Sequence, residues 1–256
     1  MNLISYNPTS RFSSNVYDYT MYRPSYPEAV IEYLNKNIGL KNKIVADIGA
    51  GTGILTKLVL NNGNKVFAIE PNDKMRNASI DYLKGYSNIN FLSSTAENTC
   101  LPSDSVDVIF VAQAFHWFNT SEAIHEFYRI TRNNSYIVLL WNEIRSESTK
   151  LRKGYEDLFS GYSEEYRRID KSIDEQFLLN IFKPNQIFKA EFDNHCFLDV
   201  DQFIGRILSS SFSPDEKDAR YANFLFDTKH LFLDNAKSGT LEMKYITLMY
   251  YCSVKT

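Results

Sequence analysis

Nine residues, Val45-Ala46-Asp47-Ile48-Gly49-Ala50-Gly51-Thr52-Gly53, restrict the fold of the whole chain. Lys43 to Ile48 is a short apolar run of the kind that forms a buried strand. Three glycines at alternate positions follow it. Ile54, Leu55, Leu58 and Val59 then recur at helical spacing. The order is strand, tight turn, helix. Glycine lacks a Cβ and tolerates unusual dihedrals, so such a turn brings bare backbone against a ligand. A dinucleotide site calls for G-x-G-x-x-G. Gly49 and Gly51 fit that spacing, but Ile54 stands where the third glycine belongs. A phosphate-binding turn calls for Lys or Arg, and none is present.

Two carboxylates accompany the turn. Asp47 precedes Gly49 by two positions, where it can face a cationic amine. Glu70 ends the next apolar run, Lys65 to Ile69, where it can accept both hydroxyls of a ribose. The pattern suits an adenosine that carries a positive charge and no phosphate.

The rest of the chain continues the alternation. Pro27 suits a first helical position, and a helix with an apolar face at Ala29, Val30, Tyr33 and Leu34 runs to Gly39. Asn72 caps a helix carrying Met75 and Leu83. Ile89–Leu92, Val106–Val111 and Tyr136–Trp141 read as further strands. Asn119 and Glu122 form a capping-box-like start to a helix with its face at Ala123, Ile124, Phe127 and Ile130. Strand and helix alternate, which predicts a parallel sheet covered on both faces. From Glu143 to Lys183 there are 17 charged residues, eight basic and nine acidic, a balance typical of solvated helices. Phe188–Val200 and Leu241–Val254 are strand candidates, the second with a period of two.

These residues resemble the class I S-adenosylmethionine-dependent methyltransferases, in particular the small-molecule branch that includes the trans-aconitate and ubiquinone/menaquinone-biosynthesis enzymes. Asp47–Gly53 resembles the first motif of that family, and Glu70-Pro71-Asn72 with Met75 the second. Thr95-Ala96-Glu97 resembles the loop bordering adenine. Asp107–Phe110 followed by Gln113–Phe118 resembles the fourth-strand motif. Tyr19-x-x-x-Arg23-Pro24-x-Tyr26-Pro27 resembles an N-terminal signature of one subgroup. The likeness is specific over 17–142, weaker over 188–256 and poorest over 143–187.

The resemblance implies a Rossmann-like three-layer αβα sandwich of the α/β class. Its mostly parallel seven-stranded sheet would have an antiparallel last strand, with a helical insertion or lid. It implies an N-terminal lid and first helix over 1–40 and an S-adenosylmethionine-binding core over 41–142. A helical insertion on the acceptor side would span 143–187, and C-terminal strands over 188–256 would complete the sheet. S-adenosyl-L-methionine is the implied cofactor. Tyr19, Arg23, Asp47, Gly49, Ala50, Gly51, Glu70, Pro71, Met75, Thr95, Ala96, Glu97 and Gln113 are the implied cofactor-binding residues. His116 is the catalytic candidate, a neutral imidazole able to take a proton from an acceptor hydroxyl. The aromatic cluster Tyr17, Tyr19, Tyr22 and Tyr26, with Phe115, Trp117 and Phe118, is expected to give an aromatic-lined site closed by residues 12–27, since ring faces attract a sulfonium.

Composition narrows the setting. A net charge of −3 argues against a nucleic-acid partner, no apolar run approaches the length of a membrane helix, and Met1–Ser10 lacks the regions of a signal peptide. Cys100, Cys196 and Cys252 have no metal spacing, so no metal is expected and a reduced, cytoplasmic protein is. The sequence leaves oligomeric state open. The expected function is methyl transfer to the oxygen, nitrogen or carboxylate of a small molecule. The alternatives are a non-catalytic S-adenosylmethionine-binding protein and, against the spacing of the turn, a nicotinamide-dependent oxidoreductase.

Overall fold

The computed structural model describes residues 20–145, 149–168 and 175–254. Its centre is one seven-stranded sheet in the order β3-β2-β1-β4-β5-β7-β6. The strands are β1 (Ile44–Ile48), β2 (Lys65–Ile69), β3 (Ile89–Leu92), β4 (Val106–Ala112), β5 (Thr131–Ile144), β6 (Ile187–Leu198) and β7 (Leu241–Val254). β1 to β5 are parallel, β7 is antiparallel to β5, and β6 is antiparallel to β7. The expected three-layer sheet with an antiparallel last strand is present, and residue alternation explains it. On β4 and β5, Val108, Phe110, Val138 and Leu140 enter one apolar core, while Ile109, Val111, Ile137 and Leu139 enter the other. A strand apolar at every position requires cover on both faces.

Helices supply that cover. On one face lie α1 (Glu28–Ile38) and α2 (Ile54–Asn61), whose Val30, Leu34, Leu55 and Val59 are buried. Gly39 ends α1 in the left-handed region at φ 63°, as its position predicts. On the other face, α4 (Thr120–Ile130) buries Ala123, Ile124, Phe127 and Ile130. α3 (Asp73–Tyr82) follows β2 and is capped by Asn72, whose side chain accepts from the N–H groups of Lys74 and Met75. Such a cap contributes about 1 kcal/mol. The capping box expected at Asn119 does not form. The Asn119 N–H instead donates to Glu97 Oε1 at 2.8 Å, so a distant loop supplies the carboxylate.

The C-terminal half holds more helix than the sequence pattern suggested. α5 (Thr149–Tyr162), α6 (Glu164–Arg168) and α7 (Glu175–Ile181) occupy the charged stretch. α8 (Val200–Leu208) and α9 (Tyr221–Leu233) lie between β6 and β7, where only strands were expected. Asp199 and Gln202 form a reciprocal capping box at the start of α8, a signal that was readable. Leu158, Phe159, Tyr166, Phe203, Phe224 and Tyr245 build a third apolar core. α5 and α9 approach closely at Gly154, where a Cβ would meet Leu231 at 2.3 Å.

Candidate functional site

The sheet order reverses between β1 and β4, and open α/β sheets hold ligands outside the carboxyl ends of such strands. The glycine turn lies there. The N–H groups of Gly49 and Ala50 both donate to the Ile69 carbonyl, at 2.9 and 3.0 Å, which folds the turn back onto β2. Gly49, Gly51 and Gly53 all have positive φ, but their neighbours differ. A Cβ on Gly49 would meet Ala114 at 2.6 Å, and one on Gly53 would meet Ser79 and Leu83. Those two glycines serve packing. At Gly51 the nearest atom is Met75 Cε at 3.7 Å, an ordinary contact. Its φ of 57° and its place on the cavity wall set the need for glycine there.

A cavity of about 790 Å³ opens from this turn toward the helical layer. Asp47, Gly49, Ala50 and Gly51 line one end. Asp47 is 1% exposed, and its Oδ2 accepts from Thr56 Oγ1 at 2.5 Å. Its Oδ1 is buried without a hydrogen-bond partner. Burial pushes the Asp47 carboxyl up to about 7; Thr56 opposes this and the charge of Glu70 adds to it. A buried carboxylate oxygen with no donor suits a cationic ligand group. Glu70 lies beside the cavity, not on its wall. Its two oxygens accept from the N–H groups of Gly51 and Asn72, both at 2.9 Å, so it braces the turn against the next loop. Burial pushes the Glu70 carboxyl up, and those N–H groups and Arg76 oppose it.

The end of β4 supplies the facing wall. Gln113 has φ 56°, an uncommon conformation for a side-chain-bearing residue, held by N–H donation to the Leu140 carbonyl and Nε2 donation to the Asn142 carbonyl. Phe115, His116 and Trp117 form a short 3₁₀ turn, and all three line the cavity. Phe118 does not: it packs edge-on against Phe115 and Phe127, beneath Gly49. Burial pushes the half-buried His116 imidazole down to about 4. At neutral pH it is uncharged and a weak base, better suited to accepting a hydrogen bond than to keeping a proton.

The segment before α1 closes one side. Arg23 lines the cavity and donates to the Ser209 carbonyl at 2.9 Å. Tyr22 rests on Gly205 of α8, where a Cβ would sit 2.2 Å from its ring. Tyr19 and Tyr17 lie outside the described residues. Asn142, which the sequence reading missed, joins four elements. Its Nδ2 donates to the Ser25 carbonyl, its Oδ1 accepts from Thr247 and Asn194, and its carbonyl receives Gln113.

The far end of the cavity also escaped the sequence reading. Glu143 of β5, Arg152 and Glu156 of α5, Glu175 of α7, Lys189 of β6 and Arg206 of α8 line it. Glu156 pairs with Arg152 at 3.1 Å, and Glu175 with Lys189 at 2.7 Å. Burial pushes the Glu143 carboxyl up against the pull of Arg152 and Lys189. The only advance signal was position at the ends of β5 and β6, because their partners are remote in sequence.

Pro71, Met75, Thr95, Ala96 and Glu97 lie off this cavity, past the glycine turn. Met75 and Ala96 are buried, and the Met75 thioether methyl faces Gly51. Glu97 is tied to the start of α4.

Residues 46–139 match the methyltransferase domain family. An uncharacterized methyltransferase of Schizosaccharomyces pombe is 31% identical over 140 residues, 54% of each chain. One from Mycobacterium tuberculosis is 37% identical over 132 residues, 51% of each chain. The chain thus spans about half the length of the curated relatives it matches. A solved protein of Anaeromyxobacter dehalogenans, described as a type II methyltransferase, shares the fold over 91% of this chain and 98% of its own, with a TM-score of 0.67 at 17% identity.

Proposed function

We propose that the chain, whose residues 46–139 match the methyltransferase domain family, is a class I S-adenosylmethionine-dependent methyltransferase that moves the sulfonium methyl of that cofactor onto a small molecule. The observation that carries this reading is the unpartnered Oδ1 of Asp47 beside a glycine turn with no basic side chain. That site fits an ammonium group and not a phosphate. When bound, S-adenosylmethionine supplies an electrophilic methyl, and the chain needs to add alignment more than chemistry. Asp47 receives the cationic amine. Gly49 to Gly51 leave room for the ligand to lie on backbone, and Glu70 offers its remaining lone pairs to ribose hydroxyls. Met75 and Ala96 supply the apolar surface for adenine. Arg23 and Gln113 face the same cavity.

The acceptor enters from the helical side. Trp117, Trp141, Tyr155, Tyr166 and Tyr250 give that side of the cavity its aromatic lining. His116 accepts a hydrogen bond from an acceptor hydroxyl and orients its lone pair. A cavity of this volume takes a drug-sized molecule, which supports a small acceptor. The three free thiols Cys100, Cys196 and Cys252 support a reducing, cytoplasmic setting. Among the described residues no helix is long and apolar enough to cross a membrane.

Isothermal titration with S-adenosylhomocysteine, the demethylated product, tests the reading. One molecule bound per chain is expected. Absence of heat, or binding of a nicotinamide dinucleotide in its place, would refute it.

A further inference from the structure

β6 ends the sheet, and its outer edge has the features of a pairing surface. Its inner edge pairs with β7 in unbroken register, from Ile187 with Cys252 to Leu198 with Leu241. Among the described residues no strand pairs with the other edge. An open edge is a template for another chain, and proteins blunt such edges with short strands, bulges, prolines or charges. β6 is twelve residues long, contains no proline and has no bulge in its pairing with β7. Charge is the one such device it carries, at Lys189, Glu191 and Asp193.

The two faces of the strand differ. Phe188, Ala190 and Phe192 share one face. Phe188 is 42% exposed and stacks on Tyr251, with ring centres 5.2 Å apart, and Phe192 meets Tyr33 edge-on at 5.7 Å. Lys189 and Glu191 share the other face and pair at 3.0 Å, and both side chains remain open to solvent.

A two-fold axis normal to a sheet keeps each face on its own side. Two copies of one edge strand therefore pair antiparallel only with some residue directly opposite its own copy. The charges decide which residue that is. An axis at Lys189, Glu191 or Asp193 sets a charge against itself, and one at Phe192 sets Glu191 against Asp193. An axis at Asn194 sets Glu191 against Phe197 and leaves Lys189 beyond the strand. An axis at Ala190 sets Lys189 of each copy against Glu191 of the other, and Phe188 against Phe192 on the opposite face. Opposite charges and aromatic pairs directly across a ladder stabilise it, and like charges destabilise it.

We propose that the free edge of β6 pairs antiparallel with the same edge of a second copy of this chain, about a two-fold axis through Ala190, so that the two sheets become one. The aromatic strip of Tyr251 and Phe188 then continues into Phe192 of the second copy, which covers the exposed ring. Lys189 also lines the far end of the cavity, so the seam runs beside that end in both copies. The inference is independent of the methyltransferase reading.

Sedimentation velocity of the full chain, from low micromolar concentration upward, is expected to show a monomer–dimer equilibrium and nothing larger, because a two-fold contact closes on itself. Glu191→Lys sets two lysines against each other and raises the dimer dissociation constant tenfold or more. Adding Lys189→Glu to that variant restores the constant to within threefold of the parent. Opposed residues of an antiparallel ladder stand about 4.5–5.5 Å apart at Cα, within the span of a disulfide. With diamide as oxidant, Ala190→Cys therefore cross-links into covalent dimers, while Asn194→Cys stays at the level of the parent with its free cysteines. The cross-link changes no charge, so it decides the matter even where a charge variant fails to fold. A monomer at every concentration, assembly beyond a dimer, or a dimer indifferent to Glu191→Lys in a folded protein would overturn the inference. So would cross-linking at 190 no greater than in the parent or than at 194. Failure of S-adenosylhomocysteine to bind would remove the methyltransferase reading and leave this one in place.

Discussion

Asp47 is held in a place where its charge is costly, and that cost is visible in pH dependence. Its folded pKa of about 7 lies above the value of an unfolded chain near 4. The stability associated with protonated Asp47 is therefore fully present below about pH 4 and is lost as pH rises through 7. Asp47→Asn keeps an acceptor for Thr56 and removes the charge. Without ligand, the Asn variant gains stability over the parent between pH 4 and 7, to a plateau on the order of 4 kcal/mol. Chemical denaturation at pH 4 and pH 8 checks this; a variant equally or less stable at pH 8 contradicts it. The same variant loses tenfold or more of its S-adenosylhomocysteine affinity, because the ligand ammonium loses its counter-charge. A residue whose removal stabilises the fold and weakens the ligand serves binding. Asp47 was legible in the sequence because its partners are near: Thr56 is nine residues away and Glu70 twenty-three. Arg206 and Asn142 were not legible. They meet Tyr22 and Ser25 across separations of 184 and 117 residues, and no local pattern records such a meeting.

At the scale of elements, the contact between α8 and the segment before α1 separates helix strength from segment docking. Gly205 lies inside α8, where alanine is the better helix former by roughly 1 kcal/mol. A Cβ there would overlap the Tyr22 ring at 2.2 Å. Gly205→Ala therefore leaves the melting temperature equal or slightly higher while it lifts Tyr22 and Arg23 from α8. Chymotryptic cleavage after Tyr22 then accelerates, and S-adenosylhomocysteine affinity falls several-fold. Unchanged cleavage would show that the segment is held from elsewhere, for instance through Asn142 and Ser25. The sequence announced the parallel core because each of its strands carries its own apolar run and each helix its own face. Beyond the capping box at the start of α8 it carried little sign of α8 and α9, since their apolar residues fill a third core shared with α5, α6 and the outer ends of β6 and β7. The glycines at 154 and 205 mark where elements remote in sequence touch.

Across the whole molecule, the cavity lies between two bodies of structure with different cores. The parallel sheet and its covering helices supply the glycine turn, Asp47 and the end of β4. The helical layer supplies Arg152, Tyr166 and Arg206. β5 and β7 join them, paired from Ser135 with Val254 to Ile144 with Tyr245, so both strands run past the parallel core into the helical layer. A ligand held at this junction binds only when both halves are folded, and it stabilises the folded state alone. At a hundredfold excess over its dissociation constant, such a ligand adds about 2.7 kcal/mol. For a chain of this length that is a rise in melting temperature of roughly 5–10 °C. S-adenosylhomocysteine is expected to produce this rise in a single cooperative transition, and a nicotinamide dinucleotide at equal concentration to produce none, because Ile54 replaces the glycine its pyrophosphate needs. Two separated transitions, of which only the first moved, would mean that the ligand engages one half and that the far end of the cavity takes no part in holding it.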